Sequence, residues 1–195
     1  MNTDELVVQE KELHRQAYEV VKALDLLPFL SKYGRPRIVG SVALGLMTWR
    51  DIDIDLEITG EIRDQDFWKT AKYLLAQDKV TLVILVDNRK MIEKNRPPSM
   101  YIGGKVQADD GAIWKLDIRF ISEQHAIAQK YIDSISSKLT DGRRRAILSI
   151  KHVVAQDPRY RTEISSVDIY EAVLDKGITD LEGFKEQLRE SGIEL

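Results

Sequence analysis

Cysteine is absent from this chain, which excludes disulfides, thiolate metal sites and a cysteine nucleophile. Histidine is scarce: His14, His125 and His152 lie far apart, show no metal-ligand spacing and read as helix surface. Long apolar runs are missing as well. The longest β-rich one, Val80 to Val86, is far too short to cross a bilayer. The opening Met1-Asn2-Thr3-Asp4-Glu5 lacks the basic and apolar regions of a secretory signal, so a soluble, cytoplasmic protein that engages no membrane is expected. Nor is charge of one sign in excess: 29 lysines and arginines stand against 32 acidic residues, a net charge of −3. That balance gives no whole-chain footprint for nucleic acid, and a nucleic-acid partner is not expected. What the chain does have is 195 residues with 43% hydrophobic and 31% charged side chains, enough for one compact domain or a domain with a small helical annex.

Charge is nevertheless segregated locally. In Asp51-Ile52-Asp53-Ile54-Asp55-Leu56-Glu57-Ile58 acids and apolar residues alternate strictly, the period of a β-strand. Ile52, Ile54, Leu56 and Ile58 share one face, and the four acids share the other at a spacing of roughly 6.5 Å. At an effective dielectric of about 20, neighbouring carboxylates so placed repel by roughly 2.5 kcal/mol. Such a row needs open water, as on a solvated edge strand, or cations.

Helical periodicity marks residues 4–26, with Val7, Val8, Leu13, Ala17, Val20, Val21 and Leu24 on the apolar side. A short helical turn is expected at Phe29–Tyr33, then a strand from Arg37 to Val39 ending in a tight turn at Gly40-Ser41. Asp64 to Gln77 reads as a helix. Val80 to Val86, apolar on both faces, reads as a central strand. Asp87 to Pro98 is a polar loop with a helical turn near Met91. Met100–Ala108 and Ala112–Phe120 form a hairpin through Asp109-Asp110-Gly111, with a β-bulge expected at Gly103-Gly104. In its second strand Trp114, Leu116, Ile118 and Phe120 face the core, while Lys115, Asp117 and Arg119 share the polar face.

Beyond residue 121 the pattern is helical. Ser122 is the expected cap of a first helix with Ile127, Tyr131 and Ile135 buried. Thr140 or Asp141 caps a second, with Ala146, Ile147, Ile150, Val153 and Val154 inward, stopped by Pro158. Further helices follow at Asp168–Lys176 and Asp180–Glu190, the last capped by Thr179. The fold class is α+β: a mixed β-sheet flanked by helices over 1–121, and a C-terminal helical region over 122–195.

A Gly-Ser turn, a strand carrying Asp-x-Asp and a later strand with a single Asp form a chemically coherent set. Gly40 lets backbone approach the phosphates of a nucleoside triphosphate, and the hydroxyl and N–H of Ser41 can donate to them. Carboxylates on adjacent strands suit two Mg2+ ions clamping the attacking and leaving oxygens of an in-line displacement. The one on the neighbouring strand can also sit beside the incoming hydroxyl.

These residues resemble the polymerase-beta-like nucleotidyltransferase superfamily, whose pattern is a hydrophobic residue, Gly, Ser or Gly, a spacer and then acid-hydrophobic-acid. Val39-Gly40-Ser41 and Asp51-Ile52-Asp53-Ile54 match it, and Trp114-Lys115-Leu116-Asp117-Ile118 looks like its third acidic strand. Among members, Trp49-Arg50-Asp51-Ile52-Asp53-Ile54 looks most like small bacterial enzymes that adenylylate lincosamide or aminoglycoside antibiotics. The resemblance implies Asp51, Asp53 and Asp117 as catalytic, metal-holding residues, with Gly40 and Ser41 toward the nucleotide; Lys151, one or two helical turns beyond Arg143–Arg145, is placed to reach a nucleotide phosphate. Asp51-Asp53 and Asp53-Asp55 both satisfy the alternation. The spacer from Ser41 in relatives favours the first pair, leaving Asp55 to Lys115 or Arg119.

The expected function is Mg2+-dependent transfer of a nucleoside monophosphate, AMP from ATP, to a hydroxyl of a small molecule such as an antibiotic. A protein-modifying toxin and a non-catalytic nucleotide-binding module of the same fold remain alternatives, and a homodimer is compatible with either. Arg143, Arg144 and Arg145 read as a solvated helix face. Trp49 is read equally as a base-stacking residue or as core packing, and Tyr160-Arg161 as a border of the acceptor site.

Overall fold

A computed structural model describes residues 1–90 and 97–194. The helical turn read near Met91 falls outside them. At the centre is a mixed five-stranded sheet in the order β1-β2-β5-β4-β3. β1 (Arg35–Val39) pairs antiparallel with β2 (Asp51–Ile58), which runs parallel to β5 (Ile113–Ser122). β4 (Ser99–Gln107) lies antiparallel between β5 and β3 (Val80–Asp87).

Strand alternation decides which face is dry. Ile52, Ile54 and Leu56 of β2 join Trp114, Leu116, Ile118 and Phe120 of β5 and Met100, Ile102 and Val106 of β4 in one core. α1 (Thr3–Ala23), α2 (Leu26–Leu30) and α4 (Asp64–Leu75) pack on that core. α1 begins in a reciprocal cap between Asn2 and Glu5, which satisfies two backbone N–H groups that a helix start otherwise leaves orphaned. A second apolar cluster joins Val39, Leu44 and Leu46 to the C-terminal helices. It involves α3 (Gly40–Leu44), α5 (Ala128–Lys138), α6 (Asp141–Val154), α7 (Ser166–Leu174) and α8 (Leu181–Glu190). Among the described residues, no helix is long and apolar enough to cross a membrane.

Several sequence expectations change here. β3 is an edge strand, not a central one, and Leu82 and Ile84 are exposed on it. Its two-faced apolar pattern reflects packing of Val80, Val83 and Leu85 on the core and an open opposite face, which hydropathy alone does not separate. No bulge forms at Gly103-Gly104: the β4–β5 ladder is continuous, and the irregularity lies between Val80 and Leu82. A Cβ at Gly103 would sit 2.6 Å from the Tyr101 hydroxyl, so the missing side chain makes room for Tyr101.

β5 continues through Ser122 and passes by a 3₁₀ turn (Glu123–His125) to α5, so Ser122 caps no α-helix. The buried face of α5 is Ile132 and Ile135, whereas Ile127 and Tyr131 are exposed. In α6 Val153 is exposed and its place inside is taken by Leu148 and Lys151. Asp180 rather than Thr179 caps α8, accepting from the Gly183 N–H at 2.9 Å.

Candidate active site

The acid row of β2 is not a solvated edge. β2 lies inside the sheet, and Asp51, Asp55 and Glu57 are buried. The row divides by partner. Glu57 receives Arg35 (2.6 Å) and Arg37 (2.8 Å) from β1. Asp55 accepts from Nε and Nη2 of the Arg119 guanidinium at 2.8 and 2.6 Å. At the other end, the parallel register sets Asp53 beside Asp117 and Asp51 beside Lys115. One carboxylate oxygen from each of Asp51, Asp53 and Asp117 lies within 4.8 Å of the others.

Three carboxylates so close repel, and the neighbourhood compensates unevenly. Asp51 accepts from Trp49 Nε1 at 3.2 Å, Arg161 Nη2 at 2.9 Å and Lys115 Nζ at 3.4 Å. Asp117 accepts from the Tyr101 hydroxyl at 2.8 Å and also from Lys115. Among the described residues no salt bridge reaches Asp53. Burial, and then the charges of Asp51 and Asp117, push the Asp53 carboxyl up to about 7. Burial and the bond to Asp117 likewise raise the Tyr101 phenol. A central carboxylate that forms no ion pair among the described residues, flanked by two more hard oxygen donors, fits Mg2+.

Gly40 is fixed here by two independent demands. Its φ is +63°, and a Cβ added to it would lie 2.6 Å from Asp53 Oδ2. The Val39-Gly40-Ser41 turn therefore presses directly on the central carboxylate. Gly40, Ser41, Asp51 and Asp53 line one side of a cleft of about 510 Å³, and Tyr131, Tyr160, Arg161 and Tyr170 come to it from the helical side.

Lys151 also borders this cleft, but its ammonium is fully buried, donates to the Leu46 carbonyl at 2.8 Å and lies 4.4 Å from the Trp49 ring centre. Burial lowers its pKa to about 8. Two helical turns earlier, Arg144 donates to the carbonyls of Leu44 and Gly45. Together they hold the loop between Ser41 and Asp51. The Arg143–Arg145 cluster is thus not uniformly a solvated face, although Arg145 pairs with exposed Asp4 and Arg143 bonds the Lys138 carbonyl. Trp49 lines the cleft and covers the Lys151 ammonium, outside both apolar clusters.

Sequence reasoning did not find Tyr101 or the double contact of Lys115. Lys115 stands two residues before Asp117 and so on the same strand face, which was the available signal. Tyr101 depends on cross-strand register, which its own sequence does not display.

The partition of the acid row has a measurable consequence. Asp55→Asn breaks a pair whose carboxylate is buried but whose guanidinium is 40% exposed and can turn to water, with an expected loss of about 1–3 kcal/mol in stability. Divalent-cation affinity should change little, since Asp55 lies outside the triad. Chemical denaturation and Mn2+ titration of the variant measure the two effects separately.

No protein-family model matches the sequence, and no curated protein does. Solved structures do match. A cytoplasmic RNA terminal U-transferase aligns at 21% identity with a TM-score of 0.56, over 88% of this chain and 54% of that one. The Cid1 poly(U) polymerase, in a mutant bound to MgATP, aligns at 19% identity with a TM-score of 0.61, over 89% and 56%. A STING-associated CdnE c-di-GMP synthase from Capnocytophaga granulosa aligns at 14% identity with a TM-score of 0.54, over 92% and 67%. The chain thus spans about half the length of the first two. At these identities the likeness is one of fold: the mixed five-stranded sheet flanked by helices is that of nucleotidyltransferases.

Proposed function

We propose that this chain is a magnesium-dependent nucleotidyltransferase that moves AMP from ATP to a hydroxyl of a small-molecule acceptor, for example an antibiotic. The observation that carries this reading is the convergence of Asp51, Asp53 and Asp117 within 4.8 Å, beside a cleft that Asp51 and Asp53 line together with the Gly40-Ser41 turn. Residues 1–121 act as the catalytic domain and 122–195 supply the opposing wall.

In the reaction the acceptor oxygen bonds the α-phosphorus, the bond to pyrophosphate breaks, and the acceptor proton leaves. Two Mg2+ ions held by the triad would polarise the α-phosphate and neutralise the departing pyrophosphate. Asp117 orients the acceptor hydroxyl and draws off its proton, itself fixed by Tyr101 and Lys115. Gly40 brings backbone close to the phosphates, and Ser41 donates to them. Lys151, already engaged with the Leu46 carbonyl, serves the nucleotide by fixing the loop and Trp49 rather than by direct contact.

A small acceptor with an apolar body is supported by the catalytic face beyond Asp117. Asp53, Asp117, Gly103 and Ile84 stand in one cross-strand row, and Ile84 and Leu82 leave apolar surface exposed there. The neighbouring row, Asp51, Lys115, Lys105 and Leu82, adds two lysines on the same face, cations that nucleic-acid phosphates could also use. The second reading, transfer to an RNA end, draws on the named activities of the terminal U-transferase and poly(U) polymerase.

The test incubates the protein with Mg2+, each of the four ribonucleoside triphosphates, and either a panel of small hydroxyl compounds or an RNA oligonucleotide, read by mass spectrometry. One added AMP on a small molecule is expected. A lengthened RNA selects the second reading, and AMP on a protein side chain points to the toxin. MgATP binding with no product on any acceptor would leave only a binding module.

A further inference from the structure

Arg161 is the one arginine of the described chain with a backbone in the left-handed region, at φ +77°, and it stands at the mouth of the cleft. A bulky L-residue adopts that conformation only when its surroundings enforce it. Here the turn is closed by the Arg161 N–H donating to the Ile164 carbonyl at 2.7 Å. It is anchored further by the Tyr160 and Ser166 hydroxyls, 2.6 Å apart. The result is placement: the guanidinium lies 5.5 Å from the Trp49 ring centre and reaches Asp51 Oδ2 at 2.9 Å. It thereby occupies a carboxylate oxygen of the triad.

Lys115 does likewise between Asp51 and Asp117, and Lys151 stands behind Trp49. Three carboxylates therefore face three cations, so the cluster is near balance before any metal enters. Dications added to it alone would build up uncompensated positive charge in a partly buried site. A triphosphate arriving with them supplies the missing negative charge.

We propose that Arg161 makes metal loading conditional on the nucleotide. In the empty site it holds Asp51; when a metal–triphosphate complex enters, it gives up that oxygen and pairs with the phosphates. This rests on the nucleotidyl-transfer reading above. The Arg161 side chain is 49% exposed while that of Asp51 is 9% exposed, so the guanidinium can turn into the cleft while the carboxylate stays in place. Its planar fork suits phosphate oxygens as well as a carboxylate. Arg161 is on this account a positioning residue for the metal and a direct ligand of the triphosphate.

The test titrates Mn2+, by the electron paramagnetic resonance signal of the free ion, with and without a non-hydrolysable ATP analogue. It compares wild type, Arg161→Gly and Arg161→Lys. Glycine accepts the left-handed backbone, so the turn should survive in that variant. Wild type should bind Mn2+ weakly alone and at least about tenfold more tightly with the analogue. In Arg161→Gly, Mn2+ alone should bind about tenfold more tightly, the analogue more weakly, and the coupling should collapse. Arg161→Lys should keep most of it. An Arg161→Gly protein with wild-type Mn2+ affinity and intact coupling would overturn the inference while leaving nucleotidyl transfer standing. A wild-type protein that binds neither Mn2+ nor the analogue would overturn both.

Discussion

Asp53→Asn is expected to slow nucleotidyl transfer by about a thousandfold and yet to stabilise the metal-free protein at pH 8. The first effect follows from position: Asp53 is the central carboxylate of the triad, and the amide that replaces it carries no charge for a cation. The second follows from its titration. Burial and the neighbouring acids raise its pKa from 3.8 to about 7 in the folded chain. Between those values the folded form holds a proton that the unfolded form has released, so stability falls as pH rises through the interval. Above pH 7 the full penalty applies, at most about 4 kcal/mol for a shift of roughly three pH units. Asparagine keeps the shape and removes the charge.

Thermal melts at pH 5 and pH 8, with and without Mg2+, read this directly. Without metal the variant should melt several degrees above wild type at pH 8, at about 2–4 °C per kcal/mol for a chain of this size, and the gap should shrink to roughly a third at pH 5, closing only as the pH approaches 3.8. Mg2+ should raise the wild-type midpoint at pH 8 and leave the variant nearly unmoved. A variant that melts below wild type at pH 8 without metal would mean that Asp53 is not electrostatically strained. The activity loss would then need another cause.

Much of this site was visible in the sequence because strand alternation is a strong constraint. The period through Asp51–Ile58 put the acids on one face, and the same period through Trp114–Phe120 put Asp117 on a polar face. Parallel pairing of the two strands then brings Asp53 next to Asp117. What alternation does not encode is which strand neighbours which. The edge position of β3 and the reach of Tyr101 to Asp117 both depend on the sheet order.

Helical faces were read less well beyond residue 121 for a related reason. Ile127 and Tyr131 are apolar enough to pass for core, but they face a cleft, where apolar surface stays open. Lys151 failed in the opposite direction. A lysine reads as surface or as a ligand, whereas here its stem is packed and its ammonium holds a backbone carbonyl under an indole ring. Arg161 had no sequence signal for its left-handed backbone, which only the Tyr160–Ser166 and Ile164 contacts explain.

Gly40→Ala is expected to damage both stability and metal binding. A Cβ there would lie 2.6 Å from Asp53 Oδ2 and 3.3 Å from its Cγ, inside contact distance. Asp53 is short, and its strand is locked between β1 and β5, so its carboxylate cannot swing far without leaving Asp51 and Asp117. The alternative is movement of the α3 turn, which Arg144 and Lys151 resist through the carbonyls of Leu44, Gly45 and Leu46. Left-handed strain and overpacking together should cost about 2–4 kcal/mol. A triad displaced by about 1 Å should lose roughly a hundredfold in turnover. Gly60 is the internal control: its φ is +85°, but nothing lies within 4 Å of an added Cβ, so Gly60→Ala should show the backbone strain alone. Melting and Mn2+ titration of the two variants separate the contributions. Equal destabilisation in both, with Mn2+ affinity intact in Gly40→Ala, would show that the turn yields and that the pressure of Gly40 on Asp53 is not what shapes the site.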